Sequence, residues 1–255
     1  MPSRLPYLFF LICVVGLSSV VSAQSAGLSG SCSNASLTGR YGFTFNGTNT
    51  NKPVSAVGQI VTDGNGTLAG DETITSNGVV GNLISVLGTY LVNSDCTGTM
   101  TIQPAGLPKQ DFAVTVFSGN TKLEMIQSDS GATVSGSAQA QPSFECPNNA
   151  FNGPFGLQGT GIKVGTGPVA MSGLLNLHND GTVDGSETIS VNGVITSGHS
   201  VTGAYKIINN CSGAAALAVD HGRTIHLNLE VVNNGSEILF IQGDAGSLFS
   251  GTLTQ

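Results

Sequence analysis

The sequence contains no tryptophan and few charged residues. Charged side chains make up 9% of the 255 residues, whereas about a quarter is usual in soluble domains. Acidic residues outnumber basic ones by 15 to 8, which gives a net charge of −7, and no basic run stands out. A chain of this charge repels nucleic acid and anionic lipid. We therefore expect no nucleic-acid partner.

The first residues have the pattern of a secretory signal peptide. Arg4 precedes the apolar stretch LPYLFFLICVVGLSSVV, and Val21 and Ala23 place small residues at the −3 and −1 positions of a cut after Ala23. A membrane anchor is the alternative, but the apolar run is short of the ~20 residues that span a bilayer. We predict a signal peptide over residues 1–23, a secreted or periplasmic/extracellular location and no membrane span after its removal.

One stretch of the sequence occurs twice. GDETITSNGVV begins at Gly70, and GSETISVNGVI begins at Gly185. The offset of 115 residues persists to Gly136 and Gly251, while the segment before Gly58 matches at 114, so one repeat gained a residue in an early loop. A period this long indicates tandem domains rather than a solenoid. We predict one repeat over residues 24–143 and a second over 144–255.

Short alternating runs of apolar and polar residues fill both repeats, and helical periodicity is absent after the signal peptide. Asn-Gly, Asp-Gly and Ser-Gly turns separate the runs, which predicts β-hairpins. The first repeat has eight such runs, at residues 39–46, 55–62, 66–76, 82–93, 97–103, 110–118, 121–128 and 132–140. The second repeat has the same runs about 115 residues later. Closing an eight-stranded meander removes its exposed edges. We therefore predict an all-β protein of two tandem eight-stranded antiparallel up-and-down barrels, with two β-sandwiches as the alternative.

Four cysteines remain once the predicted signal peptide is removed. In a closed meander, the start of strand 1 and the turn between strands 4 and 5 lie at the same rim. Cys32 and Cys146 precede strand 1 of their repeats, and Cys96 and Cys211 lie at that turn. We predict disulfides Cys32–Cys96 and Cys146–Cys211, since the other pairings would cross between repeats. No CxxC or CxH spacing is present, which argues against zinc binding. We assign no metal site and no cofactor.

A glutamate lies on the apolar face of strand 3 in each repeat. Side chains alternate across a strand, so Glu72 shares a face with Leu68 and Ile74, and Glu187 has the same position in its repeat. In a membrane barrel the apolar face of each strand would meet lipid, where a carboxylate is costly. The position of these glutamates therefore also argues against a membrane barrel. A buried carboxylate must be paired or protonated, so we expect hydrogen bonds from tyrosine, glutamine or backbone amides. The lumen candidates are Glu72, Tyr90 and Gln127, and Glu187, Tyr205 and Gln242.

Three interpretations of these lumen residues stay open. They form a satisfied buried network, or hold the polar end of a small apolar molecule, or provide a desolvated glutamate as a general base. Catalysis lacks a second titrating residue common to both repeats, so we assign no catalytic residue. The four histidines occur only in the second repeat, and we expect them on loops or strand surfaces: His178, His199, His221 and His226.

The opening LTGRYGFTFNG, followed by GNGTLAG and GTYLV, resembles calycin-like barrels such as lipocalins, avidin and allene oxide cyclase. The whole repeat is similar to secreted bacterial proteins of unassigned function. Gly39 and Tyr41 match the lipocalin GxW signature only in part. Biotin pockets of the avidin type depend on tryptophan, which this chain lacks, so biotin binding is not carried over. No catalytic residue of allene oxide cyclase is carried over.

The sequence favours a non-catalytic exported binding or structural module, with a small apolar ligand in the lumen or an extracellular surface partner. One alternative is a barrel enzyme of isomerase or cyclase type that uses the lumen glutamate and tyrosine. The other is a surface adhesin that uses the threonine- and serine-rich outer faces.

Overall fold

The computed structural model describes residues 31–117, 119–146, 151–220 and 222–255. These residues form two closed antiparallel barrels, each of eight strands in sequence order. The all-β prediction of tandem up-and-down barrels is confirmed, and the sandwich alternative is wrong. The predicted signal peptide, residues 1–23, lies outside the described residues. No helix among the described residues is long and apolar enough to cross a membrane.

The first barrel closes where its first strand pairs with its last. Tyr41 of β1 lies opposite Ala140 of β8, and the pairing continues to Asn49 opposite Ala132. A 3-10 turn at Asn34–Ser36 precedes the barrel. The strands are β1 Thr38–Asn49, β2 Lys52–Asp63, β3 Thr67–Ser76, β4 Val79–Val92, β5 Thr97–Pro104, β6 Gln110–Phe117, β7 Lys122–Gln127 and β8 Ala132–Ala140.

The second barrel repeats this arrangement, and β9 pairs with both β10 and β16. Its first hairpin turn has three residues, 164–166, where the first barrel has only Thr50 and Asn51. The residue gained between the repeats therefore lies in this turn. The strands are β9 Gly153–Lys163, β10 Gly167–Leu177, β11 Thr182–Val191, β12 Val194–Ile207, β13 Ser212–Val219, β14 Arg223–Val232, β15 Glu237–Gln242 and β16 Ser247–Thr254.

Inward-facing apolar side chains form a separate core in each barrel. Phe43, Phe45 and Phe112 lie fully buried in the first barrel, and Phe45 packs against Phe112 with ring centroids 5.7 Å apart. In the second barrel, Phe240 and Phe249 pack with centroids 5.9 Å apart. Alternation along the strands places these residues inside, as expected of half-buried strands.

The two predicted disulfides are confirmed. Cys32 bonds Cys96 with Cα atoms 5.0 Å apart, and Cys146 bonds Cys211 with Cα atoms 4.9 Å apart. Each bond joins the segment before the first strand to the turn after the fourth strand of the same barrel. We call this end of each barrel the disulfide rim and the opposite end the open rim.

The barrels contact each other through outward-facing side chains. β2 is buried on both faces from Val54 to Ile60, whereas most buried residues of β10 alternate with exposed ones. The outer face of β2 lies against β14, β15 and β16 of the second barrel. The apolar part of this contact is called the inter-barrel patch and consists of Val57, Val232, Leu239 and Ile241.

Polar side chains extend the contact around the inter-barrel patch. Gln141 donates from Nε2 to Oε2 of Glu230 at 3.1 Å, and Gln139 donates to Oε2 of Glu237 at 3.0 Å. Burial raises the pKa of Glu230 well above its ordinary value, and the negative charge of Asp71 raises it further. The Glu230 carboxyl is thus held between the barrels in an environment that favours its neutral form.

Candidate functional site

Glu72 and Glu187 point into the lumens of their barrels, as alternation along the strands predicts. Glu72 lies opposite Gly58 of β2, and Glu187 lies opposite Gly173 of β10. A Cβ atom at Gly58 would come within 2.8 Å of the Glu72 Cα, and one at Gly173 within 3.0 Å of the Glu187 Cα. The repeated glycine therefore leaves room beside the glutamate strand in both barrels.

Glu72 has no hydrogen-bond partner within the described ranges, although it is fully buried. Both carboxylate oxygens lack a donor, and the side chain is 0% exposed. Burial raises the pKa of Glu72 to about 7. The expected hydrogen bonds from Tyr90 and Gln127 are therefore absent. Tyr90 instead donates to the Leu37 carbonyl at 2.7 Å, and Gln127 donates to Oδ2 of Asp129 at 2.8 Å.

The second barrel distributes its three lumen candidates in the same way. The Tyr205 hydroxyl donates to the Phe151 carbonyl at 3.0 Å at the disulfide rim, and burial raises the pKa of Tyr205 to about 12. At the open rim, Gln242 donates from Nε2 to Oδ2 of Asp244 at 2.8 Å. Glu187 lies between them and is 3% exposed. The tyrosine and glutamine thus lie at opposite rims and do not form one cluster with the glutamate.

Two adjoining cavities open at the open rim of the second barrel. One has a volume of about 280 Å³ and the other about 290 Å³, and both are lined by Ile189, Val191 and Arg223. Together we call them the open-rim cavity. The first has the larger apolar wall but also includes Lys163 and Asp244, and the second includes Glu187, His199 and Asp220. The first is further lined by Val169, Met171, Ile225, Phe249 and Gln242, and the second by Thr196 and Val219.

His199 lines this cavity next to Glu187, contrary to the expectation that the histidines lie on loops or strand surfaces. It is the cross-strand neighbour of Glu187, and its side chain is 20% exposed. Its Nδ1 lies 3.7 Å from Oδ2 of Asp220, whose carboxylate also accepts from the Ser200 backbone amide at 2.9 Å. His199 is two residues before Val201, so alternation along β12 was the signal that places it inside.

The other histidines in the described ranges are more exposed. The side chains of His178 and His226 are 43% and 61% exposed, and they lie beside Asp184 and Asp244 respectively. His221 lies outside the described residues.

The charges around Glu187 act on its carboxyl in opposite directions. Burial raises the pKa of Glu187, and the nearby Arg223 and His199 oppose that rise. Oε1 of Glu187 is buried and has no hydrogen-bond partner in the described part of the chain. A buried carboxylate oxygen that faces a cavity is available to a donor from a bound molecule.

The first repeat lacks the ionisable residues that surround Glu187. At the 115-residue offset, Ile84 replaces His199 and Pro108 replaces Arg223. Glu72 consequently has an apolar cross-strand neighbour in Ile84. The two barrels share the glutamate, but only the second surrounds it with ionisable residues.

No group of three or more histidine, cysteine or acidic side chains is placed to hold a metal ion within the ranges that the structure describes.

Comparisons with known proteins identify no family for this chain. No family model matches it, and no curated protein matches its sequence. Among solved structures, the chain is similar to kievitone hydratase from Nectria haematococca, with 10% sequence identity and a TM-score of 0.31 over 89% of this chain and 91% of that chain. At this level of similarity, no property of that protein is transferred here.

Proposed function

We propose that the protein is an exported binding module whose second barrel holds a small, mostly apolar molecule in the open-rim cavity. The observation that carries this proposal is the cavity itself, in which an apolar wall adjoins a buried carboxylate and a histidine. Small-molecule sites typically combine such an apolar lining with a few polar groups that fix orientation. The first barrel is then a structural partner of the second.

Export and the calycin-like assignment belong to the same proposal. The two disulfides fit a protein that folds in an oxidising compartment. The up-and-down meander of each repeat also fits the proposed calycin-like assignment, in which a barrel encloses its ligand.

An isomerase or cyclase that uses the lumen glutamate and tyrosine has less support. The Tyr205 hydroxyl lies within hydrogen-bond distance of the carbonyl oxygens of Phe151 and His178, at 3.0 and 2.9 Å, away from the open-rim cavity. It is therefore not positioned beside Glu187 to transfer a proton to the same bound molecule.

Fluorescence of the neutral apolar dye N-phenyl-1-naphthylamine tests the proposed binding. The protein lacks tryptophan, so its own emission interferes little. We expect a saturable rise in dye fluorescence with the full chain. Ile189→Phe should weaken dye binding about tenfold or more, because an overpacked cavity excludes an apolar ligand.

Leu174→Phe is the matched control. Leu174 lies on the outer face of the second barrel and is 51% exposed, so this variant should bind the dye as the unchanged chain does. Circular dichroism establishes that both variants are folded. A linear, non-saturating response of the unchanged chain would refute the proposal, as would equal loss in the two variants.

A further inference from the structure

We propose that the molecule held by the second barrel carries a hydrogen-bond donor, a hydroxyl or an amine on an apolar skeleton, and that Glu187 accepts it. This inference rests on the proposed function and adds the chemical class of the ligand. It assigns to Glu187 the recognition of the ligand's polar group.

The first support is the state of the Glu187 side chain. It is 3% exposed, lines the open-rim cavity, and has no hydrogen-bond partner for Oε1 within the described residues. An acceptor removed from water without a donor costs free energy. A hydroxyl or ammonium group on a molecule in the cavity would supply the missing donor, whereas an ether or hydrocarbon would not.

The second support is the arrangement of charge and apolar surface around Glu187. Glu187 and Asp220 line the same part of the cavity as Arg223 and His199, so the charges there oppose one another, and the unpaired acceptor Oε1 of Glu187 is what favours a donor group. Arg223 is exposed and lines both parts of the cavity. Ile189 and Val219 supply apolar surface beside the carboxylate. This combination suits a donor group at Glu187 and an apolar skeleton beyond it.

The first barrel supplies an internal control. Glu72 occupies the equivalent position and also lacks partners in the described part of the chain, but it is 0% exposed and has Ile84 as its cross-strand neighbour. A substitution at Glu72 changes a buried carboxylate of the same origin without touching the open-rim cavity. Any effect specific to Glu187 is therefore separable from the general effect of changing a lumen glutamate.

Isothermal titration calorimetry of the full chain with three naphthalenes of one skeleton tests the inference: 2-naphthylmethanol, 2-naphthylmethylamine and 2-(methoxymethyl)naphthalene. We expect the alcohol or the amine to bind about tenfold more tightly than the ether, the usual scale for one hydrogen bond to a charged group. Glu187→Met should remove this preference. Glu187→Gln should keep the preference for the alcohol, because the amide still accepts, and should weaken binding of the amine.

Glu72→Gln should leave all three affinities unchanged. Equal binding of ether, alcohol and amine would overturn the inference, as would a preference that survives Glu187→Met. If Glu187→Met fails to fold, the amine titration with Glu187→Gln decides, and unchanged amine affinity overturns the inference for amines. Binding of N-phenyl-1-naphthylamine without binding of the naphthalenes would refute the inference alone. Failure of the dye and all three naphthalenes would refute the proposed function as well.

Discussion

Glu72 imposes a cost on the first barrel that depends on pH. Its carboxyl is fully buried without a donor among the described residues, and an unpaired buried charge is expensive. The burial that raises its pKa to about 7 therefore favours the neutral acid. Glu187 differs because Arg223 and His199 lie close enough to oppose the effect of burial on its pKa.

Replacing Glu72 with glutamine should flatten the dependence of stability on pH. The folded-state pKa of about 7 lies above the ordinary value of 4.5. The stability that the folded protein has with Glu72 neutral is therefore fully present below pH 4.5 and is lost as the pH rises through 7. At about 1.4 kcal/mol per pKa unit, the unchanged protein should lose about 3 kcal/mol more than Glu72→Gln does over this pH range. Urea unfolding at pH 4 and pH 8.5 measures this difference. An equally large loss in Glu72→Gln would contradict the assigned titration.

Alternation along the strands predicts the burial of both glutamates but not their hydrogen-bond partners. A period of two decides which face a side chain takes, and it does not decide its depth along the barrel axis. Tyr90 lies near the end of β4 at the disulfide rim, and Gln127 ends β7 at the open rim. Neither reaches Glu72 in the middle of β3. The same alternation places His199 inside the barrel. The first repeat has no histidine at the equivalent position, and this difference favoured the expectation of a surface residue.

At the scale of the strand, hairpins were predictable and the contact between barrels was not. Each hairpin is local in sequence, so turn residues and alternation locate all eight strands of a repeat. β4 begins at Val79, earlier than expected, because Asn77 and Gly78 alone make the turn with positive φ angles of 49° and 82°. The contact between barrels joins distant segments. Its available signal was the unbroken apolar run Ile238 to Ile241 in β15, which indicates burial of both strand faces.

Removing the disulfide of the first barrel should destabilise that barrel alone. Cys32 and Cys96 are 64 residues apart in sequence, and closing a loop of this length is worth about 4 kcal/mol on the loop-entropy model. We expect Cys32→Ser with Cys96→Ser to lower the free energy of unfolding of residues 24–143, expressed alone, by that amount. Guanidinium unfolding with calorimetry measures it. The matching change at Cys146 and Cys211 should destabilise residues 144–255 by a similar amount, and unchanged stability of either half would contradict the stabilising role of its disulfide.

At the scale of the whole molecule, the two repeats pack through different faces. The first barrel uses β1 and the outer face of β2, and the second uses β14 to β16. A contact between unlike faces leaves each barrel with an unused face and can continue from one copy to the next. The two repeats differ in sequence at positions that oppose such a continuing contact. Glu124 stands where the second repeat has Leu239, and Ser172 stands where the first has Val57. Charge and polarity on the unused faces disfavour the continuing contact.

Each barrel should fold when it is expressed alone as residues 24–143 or 144–255, because each has a closed sheet, its own core and its own disulfide. Both halves should show β-type circular dichroism and cooperative unfolding, at lower stability than in the full chain because Val57 and Leu239 become exposed. In the full chain, Leu239→Glu introduces the residue type of Glu124 into the inter-barrel patch and should separate one calorimetric transition into two. Leu174→Glu, on an exposed outer face, should not. A half that stays unfolded while the full chain folds would show that the sheets are not independent.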